Sequence, residues 1–381
     1  MDNGRIDFLY LSEDDMIKAG VRDMKGCIES MEETFKLLHK GDYRMGGDDA
    51  NEHGIRVSFP KESDIEGMPL SAPDYRFMAM PAYLGGKYRM FGIKSYGSNP
   101  NNRNLDLPRS ILMLSLMDVV TGAPIAYMSA NILSSMRTGA VAGLGAKYLS
   151  KKEPKVLSII GPGTMSIYSV DSFIEVQPSI STIKIKGRGK EKIDFFINYV
   201  KERHHSIKEF IVCDSVEEAC KDSDIIYFGT TNAKRFEDNP YINESWVKKG
   251  ALVMSASALL IDTDFLANKP SVRVVADNYK MYSGWGAGRE LPTQKTVSTL
   301  LGMGFYDAVC ENKISREDII DLGAIICGEQ VGRENEDQIL IYAVGGMPVE
   351  DVAWGYEVYQ KAIKNNVGVK LNLWDSLNSM R

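Results

Sequence analysis

Apolar positions in the first forty residues recur at helical spacing. From Asp23 to Lys40, the residues Cys27, Met31, Phe35 and Leu38 fall on one face, and Gly41 is placed to stop the helix. Ser12 before Glu13-Asp14-Asp15 reads as an N-cap followed by acids in the first turn. The whole stretch is therefore expected to be helical. Residues 41–74 are polar and hold one expected strand, Ile55 to Phe59. Strand-like runs follow at Tyr75–Met80, Met90–Tyr96, Ser110–Met117 and Ala123–Met128, the last two joined by a hairpin turn over Asp118–Gly122. Successive strands of this kind predict an antiparallel sheet, so this part is read as α+β. Asn131–Leu149 is a run of small helix formers and predicts a helix.

After Lys151 the rhythm changes. Short apolar runs such as Val156–Ile160, Thr182–Lys186, Phe210–Cys213, Ile225–Thr230, Ala251–Ser255 and Val272–Ala276 alternate with helical segments. That alternation is the mark of a parallel sheet covered on both faces, an α/β layout. Tyr282–Gly288 is glycine-rich and reads as a lid or a linker. Ile339–Val344 reads as a further strand and Val349–Ile363 as a returning helix.

Composition narrows the class. At about 150 residues per domain, 381 residues allow two to three domains. The 44% hydrophobic and 25% charged content excludes a disordered chain or a disulfide scaffold. Lys and Arg number 45 against 51 Asp and Glu, and a net charge of −6 argues against nucleic-acid binding by bulk charge. Five cysteines without a CxxC pair, and four histidines, give no metal-site or disulfide pattern. Reduced thiols, a polar N-terminus and the lack of a long apolar run predict a cytoplasmic protein without membrane spans. His204 and His205 read as surface residues, and Cys213 and Cys220 as small buried hydrophobes.

One loop carries recognisable chemistry. Val156–Ile160 runs into Gly161-Pro162-Gly163-Thr164-Met165-Ser166, a GxGxxS sequence between a strand and a helix. In that setting the glycines permit a tight turn and close approach of a pyrophosphate, and the helix N-terminus offers free N–H groups. A glycine-rich turn without a ligand is the competing reading. The next strand decides between dinucleotides. An acidic residue at its end would take ribose hydroxyls, but the sequence there is Lys186-Gly187-Arg188-Gly189-Lys190. Arg188 and Lys190 suit a 2′-phosphate, so NADP(H) is favoured over NAD(H), with a solvated basic loop as the alternative. Thr230 and Ser255, at the ends of later strands, complete the expected cofactor contacts.

Basic residues also occur in settings unlike a surface. Lys94 lies inside Met90-Phe-Gly-Ile-Lys-Ser-Tyr96, Arg137 inside Ser134-Ser-Met-Arg-Thr-Gly-Ala140, and Arg56 inside Ile55-Arg-Val-Ser-Phe59. A buried cation needs an anionic partner, and a substrate carboxylate is one. An ordinary salt bridge, or the outward face of a strand, is the alternative for each. A desolvated Lys94 also has the chemistry of a proton donor to a substrate nitrogen. Arg109 is a further candidate from a loop.

With these motifs, the sequence resembles the ornithine cyclodeaminase/mu-crystallin family. The resemblance rests on Met80-Pro-Ala-Tyr83, Gly92-Ile-Lys-Ser95 with Asn99-Pro100, Asp118-Val-Val-Thr-Gly-Ala-Pro-Ile-Ala126, Ser135-Met-Arg-Thr-Gly-Ala140, the glycine loop and Trp246-Val-Lys-Lys-Gly-Ala-Leu-Val253. It implies a Rossmann domain over residues 131–334. It also implies an α+β substrate-binding and dimerisation domain from residues 1–130 plus about 335–381. Implied with it are a homodimer, an amino- or imino-acid substrate, and an oxidoreductase acting at a C–N bond. The resemblance assigns Lys94 as the active-site lysine, and Arg137 and Arg56 as carboxylate-binding residues. It also marks two departures. Met78 stands where cyclodeaminases have a Glu, and Ser257 where they have an Asp that binds a side-chain ammonium. Ornithine cyclisation, an ammonia-eliminating lyase reaction, is therefore the second expectation, and a non-catalytic NADPH-binding protein the third. Ser257 is expected to hydrogen-bond the substrate nitrogen or the nicotinamide.

Overall fold

A computed structural model describes residues 4–72 and 74–376. The chain divides into two compact units. One comprises the chain up to Asp23, Lys40–Arg137 and the chain from Met347 onward; the other comprises Met24–His39 and Thr138–Gly346.

The chain opens on a strand, β1 (Ile6–Leu11), where a helix was expected. Its β-forming side chains pair in parallel with one strand and antiparallel with another, and that pairing overrides the short-range helical pattern. α1 (Glu13–Lys18) begins as expected at Ser12. The Ser12 hydroxyl accepts from the Asp15 N–H at 3.2 Å and the Asp15 carboxylate accepts from the Ser12 N–H at 3.1 Å. α2 (Met24–Lys40) buries Cys27, Met31 and Phe35, as the periodicity predicts, but Leu37 rather than Leu38 is buried with them, and the helix belongs to the second unit. There its Glu32 accepts hydrogen bonds from Lys147 and Tyr148.

Next come β2 (Tyr43–Met45), β3 (Ile55–Val57), β4 (Arg76–Leu84), β5 (Met90–Ser98), β6 (Ser110–Asp118) and β7 (Pro124–Ser129). α3 (Asn131–Leu149) follows, and the unit boundary falls within it, between Arg137 and Thr138. Burial alternates residue by residue along β4, β5 and β6, so one face of the sheet is core and the other is half-exposed.

The second unit runs through β8 (Val156–Ile160), α4 (Thr164–Val176), β9 (Thr182–Lys186), α5 (Lys190–Arg203), β10 (Glu209–Val212), α6 (Val216–Cys220) and β11 (Ile225–Phe228). It continues with β12 (Tyr241–Ile242), β13 (Leu252–Ser255) and β14 (Leu260–Ile261), of which β12 and β14 pair with each other. Then come α7 (Thr263–Ala267), β15 (Val272–Ala276), α8 (Tyr279–Gly286), α9 (Thr293–Thr296), α10 (Leu301–Cys310), β16 (Ile319–Asp321), α11 (Leu322–Ile326) and β17 (Ile339–Ala343). The eight-stranded sheet has the order β10-β9-β8-β11-β13-β17-β15-β16, with every neighbouring pair parallel. β11, β13 and β17 are fully buried, as central strands covered on both faces must be. This is a doubly wound α/β sheet.

Three expectations change here. Residues 335–346 carry β17, which lies between β13 and β15 and so belongs to the parallel sheet rather than to the first unit. α2 joins the same unit through its apolar face. The Tyr282–Gly288 segment is neither lid nor linker at its start: α8 buries Tyr279, Met281 and Tyr282.

The chain then returns to the first unit as α12 (Pro348–Lys364) and β18 (Val369–Trp374). The first sheet has the order β18-β1-β7-β6-β5-β4-β2, with β3 paired to β4. All its pairs are antiparallel except β1 with β7.

Candidate active site

β-sheet register sets the candidate site of the first unit. Met80, Lys94, Leu114, Met128 and Leu11 form one row across β4, β5, β6, β7 and β1. Every member is at most 3% exposed, so Lys94 is the one cation in an otherwise apolar core row. α12 covers this face closely. A Cβ on Gly92 would stand 2.9 Å from Val352 Cγ2, and one on Gly355 2.3 Å from Leu114 Cδ2. The close packing presses the first turn of α12, with Glu350 and Asp351, against Lys94 and Arg137. Pro348 at the helix start and two acids in its first turn also suit the positive end of the helix dipole.

The four charges interlock. Lys94 Nζ donates to Asp351 Oδ2 at 2.6 Å and to Ser134 Oγ at 3.2 Å. Arg137 Nε donates to Asp351 Oδ1 at 3.0 Å, Nη1 to Glu350 Oε2 at 2.7 Å and Nη2 to Ser134 Oγ at 3.3 Å. The Glu350 and Asp351 side chains are 0% exposed. Burial, with the Arg137 charge added, pushes Lys94 down from 10.5 to about 8. Burial acts to raise the Asp351 carboxyl, but Arg137 and Lys94 outweigh it and hold it below the usual carboxylate range. The cost of burying Lys94 and Arg137, ascribed above to a substrate carboxylate, is thus met by the protein's own carboxylates. A lysine near neutral pKa, fixed by a carboxylate, is equipped to give and take a proton.

Of the remaining first-unit candidates, Arg56 and Met78 lie on the same sheet face, farther along the strands, and Arg109 lies in the loop before β6. Arg56 pairs with Met78 across β3 and β4, and Met78 pairs with Tyr96. Arg56 is exposed, and Met78 and Tyr96 are half-buried. Arg109 donates to Asp74 at 3.4 Å. None of these residues joins the Lys94–Arg137 cluster.

The second unit carries its own candidate, the glycine loop. Gly161 has φ +89°, and its N–H donates to the Lys186 carbonyl at 2.8 Å, tying the loop to the end of β9. Gly163 is the N-cap of α4, with no side chain capping the helix, and a Cβ there would meet nothing within 4 Å. Open space above uncapped N–H groups fits a pyrophosphate. Ser166 donates to the Gly161 carbonyl at 2.6 Å, so the third loop position closes the turn instead of leaving a gap. Pro162, Thr164 and Met165 complete the loop. The basic turn lies against it, since a Cβ on Gly187 would be 3.0 Å from Pro162 Cγ. Arg188 is exposed, whereas Lys190 is engaged by Asp194 at 2.7 Å.

Thr230, Ser255 and Ser257 meet at the ends of β11 and β13. Ser257 Oγ accepts from the Thr230 N–H and donates to the Phe228 carbonyl, both at 3.0 Å, and Ser255 Oγ donates to the Ser257 carbonyl at 2.9 Å. The single Ser257 proton is committed to the backbone. As a hydrogen-bond donor to substrate or nicotinamide it is spent, and its visible role is to staple these two strand ends. His204 is less of a surface residue than expected: its Nε2 lies 2.6 Å from Asp171 Oδ1.

Sequence reading missed Glu350, Asp351 and Ser134. Two adjacent acids inside an otherwise apolar run were the available signal, in Met347-Pro-Val-Glu-Asp-Val-Ala-Trp354. It also passed over Arg76.

Comparison with known proteins gives a consistent picture. The family model described as ornithine cyclodeaminase/mu-crystallin family matches residues 20–366. N-((2S)-2-amino-2-carboxyethyl)-L-glutamate dehydrogenase of Staphylococcus aureus is 31% identical over 303 residues, 78% of this chain and 82% of that one. Alanine dehydrogenase of Archaeoglobus fulgidus is 28% identical over 357 residues, 92% of this chain and 94% of that one. Among solved structures, Thermococcus litoralis Δ1-pyrroline-2-carboxylate reductase in complex with NADH and L-proline superposes with a TM-score of 0.75 at 24% identity, covering 95% of this chain and 99% of that one. An archaeal alanine dehydrogenase dimer with bound NAD gives 0.76 at 24% identity, with 97% and 100% covered.

Proposed function

The chain belongs to the ornithine cyclodeaminase/mu-crystallin family, and on that premise we propose that it is a nicotinamide-dependent oxidoreductase acting at the C–N bond of an amino or imino acid. The observation that carries this reading is the buried Lys94–Asp351–Arg137–Glu350 cluster, a proton-exchanging lysine beside an oriented guanidinium. The relatives support it: the S. aureus and A. fulgidus proteins are both dehydrogenases of amino-acid substrates by name.

When bound, the nicotinamide cofactor supplies or accepts the hydride. Gly161, Pro162, Gly163, Thr164 and Met165 hold its pyrophosphate, and Thr230 and Ser255 shape the neighbouring strand ends. Arg188, with Lys190, favours NADP(H), because no acid stands at the end of β9 to take the ribose hydroxyls. Arg137 has five N–H donors and spends three on Glu350, Asp351 and Ser134. The others, together with Arg56, orient the substrate α-carboxylate. In reduction, Lys94 passes a proton to the substrate nitrogen, and in oxidation it takes one back. Asp351 fixes Nζ throughout.

Met78 and Ser257 argue against the lyase reading. Neither is a carboxylate, and an ornithine side-chain ammonium left without its charged partner would lose about 2–5 kcal/mol of binding. A homodimer and a cytoplasmic setting complete the proposal.

The test is a panel of 2-oxo acids with amines, followed by nicotinamide absorbance. Stoichiometric consumption of reduced cofactor, with tighter binding of NADPH than NADH, is the expected result. Ammonia release from a diamino acid without net cofactor change would overturn the oxidoreductase reading, and tighter NADH would overturn the cofactor preference.

A further inference from the structure

The positive charge in the first unit is not distributed where the burial suggests. The Lys94 cluster is balanced, with two cations on two carboxylates. An excess of positive charge lies farther along the same sheet face. Arg76, Met78 and Met80 alternate along β4, so Arg76 shares the face of Met80 and of its partner Lys94. At about 3.3 Å per residue, the Arg56–Met78–Tyr96 row lies about 7 Å from the Lys94 row, and the Arg76–Ser98 row about 13 Å from it.

Arg76 is built into place. Its side chain is 22% exposed, and its guanidinium stands over the Tyr96 ring at 5.7 Å. Nε donates to the Tyr96 hydroxyl at 3.4 Å and Nη1 to Asp74 Oδ1 at 3.0 Å. Among the described residues, Nη2 makes no hydrogen bond. Asp74 also serves Arg109, at 3.4 Å. Arg56 makes no ion pair among the described residues. Two guanidinium groups, Arg76 and Arg109, therefore share the single carboxylate of Asp74, and the third, Arg56, pairs with none among the described residues, near one end of a face whose other end holds the proton-exchanging lysine.

We infer that Arg76 takes a second carboxylate, so that the substrate is an amino or imino dicarboxylic acid. This rests on the oxidoreductase reading above, with the α-carboxylate at Arg137 and Arg56. A long arginine side chain spans much of the gap between rows, which leaves room for a linear substrate with the two acids several carbon atoms apart. A planar guanidinium with a free edge binds such a group through paired N–H donors, which a lysine does not reproduce.

The experiment uses the intact protein and two probes. Calorimetry compares glutarate with pentanoate, and cofactor absorbance compares 2-oxoglutarate with 2-oxopentanoate, each with ammonia and NADPH or NADH. The wild type is expected to favour each dicarboxylate at least about tenfold, and Arg76→Met to erase that preference while leaving pentanoate and 2-oxopentanoate within about twofold. Arg76→Lys recovers part of it. Equal binding of glutarate and pentanoate by the wild type overturns the inference, as does equal loss of both in Arg76→Met. The two levels separate cleanly. Turnover of 2-oxopentanoate as good as that of 2-oxoglutarate leaves the oxidoreductase and removes the second carboxylate. Arg76-dependent glutarate binding without cofactor consumption on any substrate removes the oxidoreductase.

Discussion

Lys94 and Arg137 were legible because each cation interrupts an apolar run, and a buried cation must be matched by an anion. Which anion was not legible. Asp351 lies 257 residues beyond Lys94 in the chain, and no local pattern encodes that meeting. The pairing nevertheless makes the chemistry more specific. With Lys94 held near 8, most of it is protonated at neutral pH and an appreciable fraction is free base at pH 8. The reductive rate, which needs the protonated form, is expected to fall as pH rises through about 8. The oxidative rate, which needs the free base, is expected to rise over the same interval. Lys94→Met should lower turnover in both directions by about 10²–10⁴ and abolish both limbs. Rate–pH profiles of the two directions check this, and a variant that keeps either limb removes Lys94 from proton transfer. The same shift bears on stability. The unfolded chain keeps the proton up to the ordinary 10.5, whereas the folded one releases it near 8, so the Lys94 contribution to stability rises with pH across that window.

At the scale of elements, most of the architecture could be read from periodicity, because strands alternating with helices have few other solutions. The exceptions share a cause. β1 took its state from two partners distant in sequence, and β17 is a short apolar strand whose neighbours, β13 and β15, cannot be told from its own residues. α3 was read to its ends, and its small residues now have a reason. A Cβ on Gly139 would stand 2.7 Å from the backbone carbonyl of Tyr168 in α4, and one on Gly143 2.7 Å from the Ser172 side chain. Ser172 Oγ in turn donates to the Gly139 carbonyl at 2.6 Å. The two helices therefore approach backbone to backbone, and α4 is the helix whose N-terminus carries the glycine loop. Gly139→Ala meets backbone that has no flexible end to give way. It is expected to destabilise the protein by about 1–3 kcal/mol and to weaken cofactor binding, measured by urea unfolding and cofactor titration. A variant as stable as the parent would show that α3 and α4 separate at little cost.

At the scale of the whole molecule, the net charge of −6 proved a poor guide to the ligand, since the charges that matter are local. The distribution of apolar surface says more. The first sheet has one face under α12 and another that is apolar yet open. Phe77 is 47% exposed, Ile111 45%, Met113 37% and Tyr10 39%, and Phe91, Ile93 and Tyr127 lie among them on the same face. A contiguous apolar patch of this kind marks an interaction surface. It is built of several strands and is nearly free of charge, as expected of a permanent interface, where burying charged side chains would cost more than apolar burial returns. In the homodimer proposed above, this face would be the one that a second copy covers, since two-fold symmetry needs only a self-complementary patch. Placing a carboxylate at Ile111 and at Met113 would bury four acids per dimer without partners. Ile111→Asp/Met113→Asp is therefore expected to sediment as a monomer of 42.4 kDa where the parent sediments at twice that mass. A cooperative thermal unfolding transition and a circular dichroism spectrum like the parent's report that the variant remains folded. A parent protein that sediments as a monomer at micromolar concentration would leave the apolar face without its proposed partner.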